Sequence, residues 1–395
     1  MSDILHPGFG VVAILVGLAT AWILSMWLPQ QTKGRNIPLD GLRGYMAFGV
    51  FLYHSVIWYG YLRTGSWSAP ASSVYRPLGD LCVKVFFMIT AYLFVGKIID
   101  SRRRPIDWWP LFVSRVMRLT PLYLVALVAL LVMTGILTRW QLQEPYSDLI
   151  DHVGQWAAFT MVAAPDVNRL PDTSLLVAGV TWSLAYEWLF YLSLPLMALV
   201  LRKPVPVSAV LICTCLLLWL LIIKPKVIFP WSFIVGAAGA MIARSIVIAR
   251  HLRGPTAAFV VCAAMGLNVI FQDGVLAKAS TLVLMLVFIP VACGNSVFGV
   301  LTNRAALLLG EVSYGIYLLH GLLLSVVFDL VLGRSLAKTL SPWHHWAIVV
   351  GAGSALVVLS SMTFKLIERP CIRSVPRLAT WSSNVGFRLT RWKRA

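Results

Sequence analysis

Six ionisable side chains stand inside apolar stretches of this sequence: Arg43, His54, Lys84, Glu187, His320 and Asp329. An ionisable group inside a bilayer is costly, so each is a candidate for function. Arg43 and His54 are eleven residues apart in one run. Eleven residues make about three helical turns, so the two face nearly the same way, roughly 16 Å apart along the axis. That is too far for a hydrogen bond between them. One stripe with stations at two depths suits a group that passes through the membrane; the bland alternative is an interfacial arginine and a packed histidine. Glu187 enters another run at a depth that matches His54 to within about a turn. A carboxylate beside an imidazole orients it and holds its charged form, which suits a general base. Alternatively, Glu187 is a structural carboxylate at a helix start marked by Trp182 and Ser183.

Arg115 and Arg118, in SRVMRLTP, share one helix face. Two guanidiniums there either bind phosphate or anchor the helix at the interface. His320, in SYGIYLLH, lies about mid-membrane and either lines the same cavity or is a packed, hydrogen-bonded histidine. Lys84 is expected to snorkel or to pair with Asp80 or Glu187. Asp329 is expected to be interfacial.

The elements that must position these residues are apolar helices. Hydrophobic residues make up 59% of the chain and charged residues 12%, against about 25% charged in soluble domains. Too little polar surface remains to cover a soluble fold. Eleven apolar runs approach spanning length: 9–28, 39–59, 79–98, 117–137, 181–201, 206–223, 229–249, 255–271, 276–294, 305–332 and 343–366. The stretch 152–164 is too short to cross and reads as re-entrant or interfacial. The first run lacks the basic flank and cleavage site of a signal peptide and is kept as a helix. The expected fold class is an all-α polytopic membrane protein of about eleven transmembrane helices. The six cysteines read as small buried hydrophobes.

The net charge of +18 invites a nucleic-acid reading. The basic residues instead form short clusters between apolar runs, the pattern of membrane topology, so no nucleic-acid partner is expected. With the amino terminus outside, 22 Lys and Arg fall on the cytoplasmic side and nine outside, with Arg43 and Lys84 within helices. That asymmetry favours an outer amino terminus and a cytoplasmic carboxyl terminus. The loop 138–180 is the one outer connection large enough to shape a substrate mouth.

Several motifs converge. PLDGLRGYMAFGVFLYHS resembles the opening signature of the acyltransferase family 3 membrane proteins, in which an Arg, ten residues and a His share one helix. VFFMITAYLF resembles their Phe-Phe-x-x-Ser-Gly-Tyr-Leu helix, with Thr90-Ala91 in place of Ser-Gly. SRVMRLTPLYL resembles their Arg-x-x-Arg motif, and TWSLAYEWLFYL their Trp-Ser-Leu-x-x-Glu motif. SYGIYLLH and KLIERP resemble their last two helices. The resemblance covers about 37–371. It divides the chain into an additional helix and linker at 1–36, the acyltransferase core at 37–371 and a basic tail at 372–395.

The resemblance implies ten core helices in a bacterial inner membrane. It implies a cytoplasmic acyl-coenzyme A donor, with acetyl-CoA the simplest, and a carbohydrate acceptor such as O-antigen. It assigns catalysis to His54 with Glu187, and donor binding to Arg43, Arg115 and Arg118. Trp182, Ser183 and His320 fall to the acceptor. No metal is expected. The rival reading is a transporter or flippase of glycan or lipid precursors that uses the same buried charges as a permeation path.

Overall fold

The computed structural model describes residues 2–28, 34–101, 106–201, 203–223, 230–270, 280–378 and 380, and these are helical with irregular connections. The longer helices are α1 Pro7–Ser25, α2 Ile37–Thr64, α3 Arg76–Asp100, α4 Trp108–Leu137, α5 Tyr146–Ala157 and α6 Trp182–Val200. They are followed by α7 Val207–Ile223, α8 Pro230–Ile242, α9 Ile246–Leu252, α10 Pro255–Ile270 and α11 Ser280–Ala292. Then come α12 Arg304–Glu311, α13 Ser313–Ser325, the single turn α14 Arg334–Ala337 and α15 Pro342–Thr363. Lys33, Arg102, Arg103, Arg104, Arg202, Lys224, Lys226 and Lys278 lie outside the described residues, as do Arg388, Arg391, Lys393 and Arg394 of the tail.

Among the described residues, six helices are long and apolar enough to cross a membrane: α1, α3, α4, α6, the stretch Ser313–Val331 and the stretch Pro342–Leu378. A seventh span is counted if α8 and α9, bent by 110°, act as one. Each of the eleven expected runs contains a helix among the described residues, but they do not form eleven full spans. The run 229–249 breaks at the α8–α9 bend, and the run 305–332 breaks at Val312 into α12 and α13. Both breaks fall at a short polar interruption of an apolar run, Arg244-Ser245 in one and Glu311 in the other. α2 has 28 residues but carries Asp40, Arg43, His54 and Arg63, and is not among the six. The stretch 152–164 starts within the twelve-residue α5 and ends in turns, too short to cross.

Local chemistry sets the helix ends around the site. The Asn36 side chain accepts from the Leu39 N–H at 3.4 Å to start α2, with Pro38 in the first turn. Gly65, at φ 69°, closes α2 in the left-handed region that glycine tolerates. α2 packs against α3, α12 and α13, while α1 packs on α12 and α15. The α2–α12 contact is backbone to backbone: a Cβ added at Gly310 would sit 1.9 Å from the Asp40 carbonyl oxygen. Small residues at such a crossing let two membrane helices approach closely. That approach fixes the depth and rotation of the helix that carries Arg43 and His54.

Candidate active site

Two chambers lie end to end along α2. The first has a volume of about 320 Å³ and is lined by Arg35, Asp40 and Arg43, by Phe86, Thr90 and Phe94 of α3, by Arg115 and Arg118 of α4, and by Ser183, Glu187 and Tyr191 of α6. The second, about 450 Å³, is lined by His54, Trp67, Asp80, Ala178 to Val180 and Trp182, among others. Val83 of α3 and Tyr317 of α13 line both. These two side chains form the wall where the chambers meet. The expected stripe is therefore real in outline: Arg43 belongs to one chamber and His54 to the other.

The first chamber is lined mainly by cations. Four guanidiniums face two carboxylates. Asp40 holds Arg35 at 2.7 Å and Arg43 at 3.7 Å. Arg115 lies 5.1 Å above the Phe94 ring and donates to Ser114 Oγ at 3.1 Å. Its Nε is buried with no hydrogen-bond partner. Arg118 makes no hydrogen bond or ion pair among the described residues. Arg115 and Arg118 lie on one helix face, as the i, i+3 spacing leads one to expect, and both line this chamber.

The second chamber presents His54 beside the ion-paired Asp80, and the partners of His54 correct the sequence reading. His54 is not oriented by Glu187. His54 Nδ1 lies 3.0 Å from His320 Nε2 and 3.1 Å from the Val50 carbonyl oxygen. Glu187 instead accepts from the Tyr191 hydroxyl and lines the first chamber with Arg43. α6 runs from Trp182 in the second chamber through Ser183 and Glu187 in the first, so the carboxylate lies beyond the shared wall. His320 is fully buried behind His54 and is absent from the chamber lining, so it meets a ligand only through His54.

The hydrogen bonds assign the tautomers. The Ile316 carbonyl oxygen lies 3.2 Å from His320 Nδ1 and can only accept, so that nitrogen carries the proton. Neutral His320 then presents an Nε2 lone pair, and His54 Nδ1–H donates to it and to Val50. This leaves the His54 Nε2 lone pair without a partner among the described residues and His54 8% exposed. The Trp67 ring stacks on His54 with centroids 6.0 Å apart. A Cβ at Gly321 would meet the Val177 carbonyl carbon at 2.3 Å, so glycine lets the 177–180 segment seat against α13 one residue after His320. Ala178 and Gly179 in that segment both take positive φ, 52° and 65°.

The remaining candidates resolve as follows. Trp182 lines the second chamber and Ser183 the first. The Ser183 Oγ and Tyr317 hydroxyl are 2.7 Å apart, and Tyr317 also donates to the Val180 carbonyl oxygen at 3.2 Å. Lys84 pairs with Asp80, one of the two acids expected for it. Asp329 is more than interfacial: its side chain is 1% exposed and accepts from Arg334 Nε at 2.6 Å.

Sequence reading missed three groups: the His54–His320 contact, the Tyr317 wall and Glu368. The first joins residues 266 apart, a separation at which no spacing rule operates. Glu368 lies two residues beyond the last expected run. The helix in fact continues through a π-helical turn, Phe364–Glu368, to Leu378. There Glu368 is 1% exposed, with one oxygen buried and unbonded, and lies within the electrostatic reach of Arg118 and Arg43. A π turn in a long helix often marks a functional position; here it brings a carboxylate near Arg118 and Arg43. The acid in KLIERP was the only signal for it. Among the described residues no group of three His, Cys, Asp or Glu side chains is placed to hold a metal.

A family model described as an acyltransferase domain, that of acyltransferase family 3, matches residues 36–362. The chain is similar to the acyltransferase MdmB of Streptomyces mycarofaciens, 24% identical over an alignment that covers 86% of this chain and 92% of the relative. No solved structure matches the chain.

Proposed function

This chain belongs to acyltransferase family 3, and from that premise we propose that it moves an acetyl group from cytoplasmic acetyl-coenzyme A to a hydroxyl of a cell-surface glycan such as O-antigen. In this reading it works in a bacterial inner membrane, with its amino terminus outside and its carboxyl terminus in the cytoplasm. The observation that carries the reading is the pairing of a four-arginine chamber with a chamber holding one bare imidazole nitrogen, across a wall of two side chains.

The coenzyme's phosphates dock on Arg115 and Arg118, and its arm runs past Arg43 toward the wall of Val83 and Tyr317. The acceptor hydroxyl enters the second chamber beside Trp67 and Trp182. His54 Nε2 takes the hydroxyl proton as the oxygen attacks the thioester carbonyl. The oxygen–acyl bond forms, the carbon–sulfur bond breaks, and the proton passes from the imidazolium to the departing thiolate. Val50 and neutral His320 hold the Nδ1–H in place throughout, so His320 is a positioning residue. Glu187 acts in the donor chamber by holding Tyr191 and countering Arg43.

The test is His54→Ala in cells with membrane expression verified, measuring acetyl groups on surface glycan. Acetylation should disappear. Undiminished acetylation would end the catalytic assignment. Purified protein should also gain thermal stability on adding acetyl-coenzyme A, which a transporter of glycan precursors would not.

A further inference from the structure

Beside the first chamber opens a smaller cleft of about 130 Å³ that the reaction above does not use. Four arginines line it, Arg35, Arg118, Arg369 and Arg373, with Glu311 and the ring of Phe364. Arg369 and Arg373 are one turn apart on the helix that continues α15, so they share a face. Arg35 and Arg118 line this cleft and the first chamber alike, so the two spaces adjoin. Arg35 is occupied by Asp40. Arg118, Arg369 and Arg373 make no hydrogen bond or ion pair among the described residues.

Four guanidiniums around this space repel one another, and Glu311, with Asp40 on Arg35 and Glu368 near Arg118, does not fully offset them. A bound anion does. The space is large enough for a tetrahedral oxyanion. Planar guanidiniums are matched to phosphate oxygens. The cleft therefore fits a terminal phosphate monoester, and the shared arginines make it one part of a two-part anion site.

We propose that this cleft holds the ribose 3′-phosphate of the acyl-coenzyme A donor while the first chamber holds the pyrophosphate end of its arm. The inference rests on the donor reading of the first chamber. Coenzyme A carries two separate phosphate positions, a pyrophosphate and a lone monoester, and two adjoining basic spaces that share Arg35 and Arg118 answer to that division.

The experiment compares binding of acetyl-coenzyme A and acetyl-3′-dephospho-coenzyme A to the purified full chain in detergent, by calorimetry. The wild type should bind the dephospho donor roughly 10- to 100-fold more weakly, the loss expected when charge-assisted hydrogen bonds to one phosphate disappear. Arg369→Ala/Arg373→Ala should bind the two donors about equally, and Arg369→Lys/Arg373→Lys should restore part of the discrimination while confirming that the helix end tolerates substitution. Wild type that binds acetyl-coenzyme A but does not discriminate overturns this assignment alone. Wild type that binds neither donor overturns the donor reading, and this assignment with it. An alanine variant that weakens both donors equally also overturns it. Phosphatidic acid carries the same monoester; if it stabilises wild type but not the alanine variant, and the donors remain indistinguishable, the cleft belongs to a lipid headgroup instead.

Discussion

The two chambers meet at Val83 and Tyr317, yet their chemistry hardly overlaps. One is lined by four arginines countered by Asp40 and Glu187, with Glu368 buried close by. The other has aromatic rings, an ion-paired Asp80 and a single available imidazole nitrogen. The first is lined by guanidiniums, groups suited to anionic ligands. The second presents an imidazole, the one side chain whose ordinary range spans neutrality. A carboxylate against His54 would orient the ring and hold its charged form. The neutral His320 orients it through a hydrogen bond alone.

The comparison predicts that damage on one side leaves the other intact. The largest effect should come from His54→Ala, with kcat reduced about 10²- to 10⁴-fold and donor affinity unchanged in calorimetry. A matching loss of donor affinity would merge the two chambers into one site. Next is Arg115→Ala/Arg118→Ala, expected to weaken donor binding roughly 100-fold; equilibrium binding checks it, and an unaltered dissociation constant would remove the phosphates from this chamber.

His320→Gln should lower kcat about 2- to 10-fold, the range of one lost neutral hydrogen bond, with donor affinity unmoved. A double-mutant cycle sharpens the point. His54→Gln and His320→Gln should couple by more than about 0.5 kcal/mol, whereas His54→Gln and Glu187→Gln should be additive within that margin. Strong coupling of His54 to Glu187 would restore the carboxylate–imidazole pair and undo the separation. Trp67→Ala should be mildest, raising the acceptor KM about 2- to 10-fold through lost ring contact. Steady-state kinetics with varied acceptor decides it; an effect on the donor KM instead would shift Trp67 to the other side.

Much of the site was legible because membrane burial makes ionisable groups conspicuous. Arg43, His54, Glu187 and His320 all stand out against apolar neighbours, and each is in or against a chamber. Partnership was less legible. Equal depth suggested Glu187 for His54, but depth is one coordinate of three. Helix rotation decides which side chains meet, and rotation is set by contacts such as Gly310 against Asp40.

The sequence by itself determined that the chain is an apolar helical protein, that Arg43 and His54 share one helix at two depths, and that Arg115 and Arg118 present one basic face. Composition, the 3.6-residue period and the cost of buried charge are properties of short segments and suffice for that. The tertiary structure alone decided that His54 rests on His320, that Tyr317 divides the chambers, that a π turn turns Glu368 inward, and that apolar runs break at Val312 and between α8 and α9. Each depends on how separate helices rotate and approach. That is fixed by close packing between residues far apart in the chain, where no local pattern carries the information.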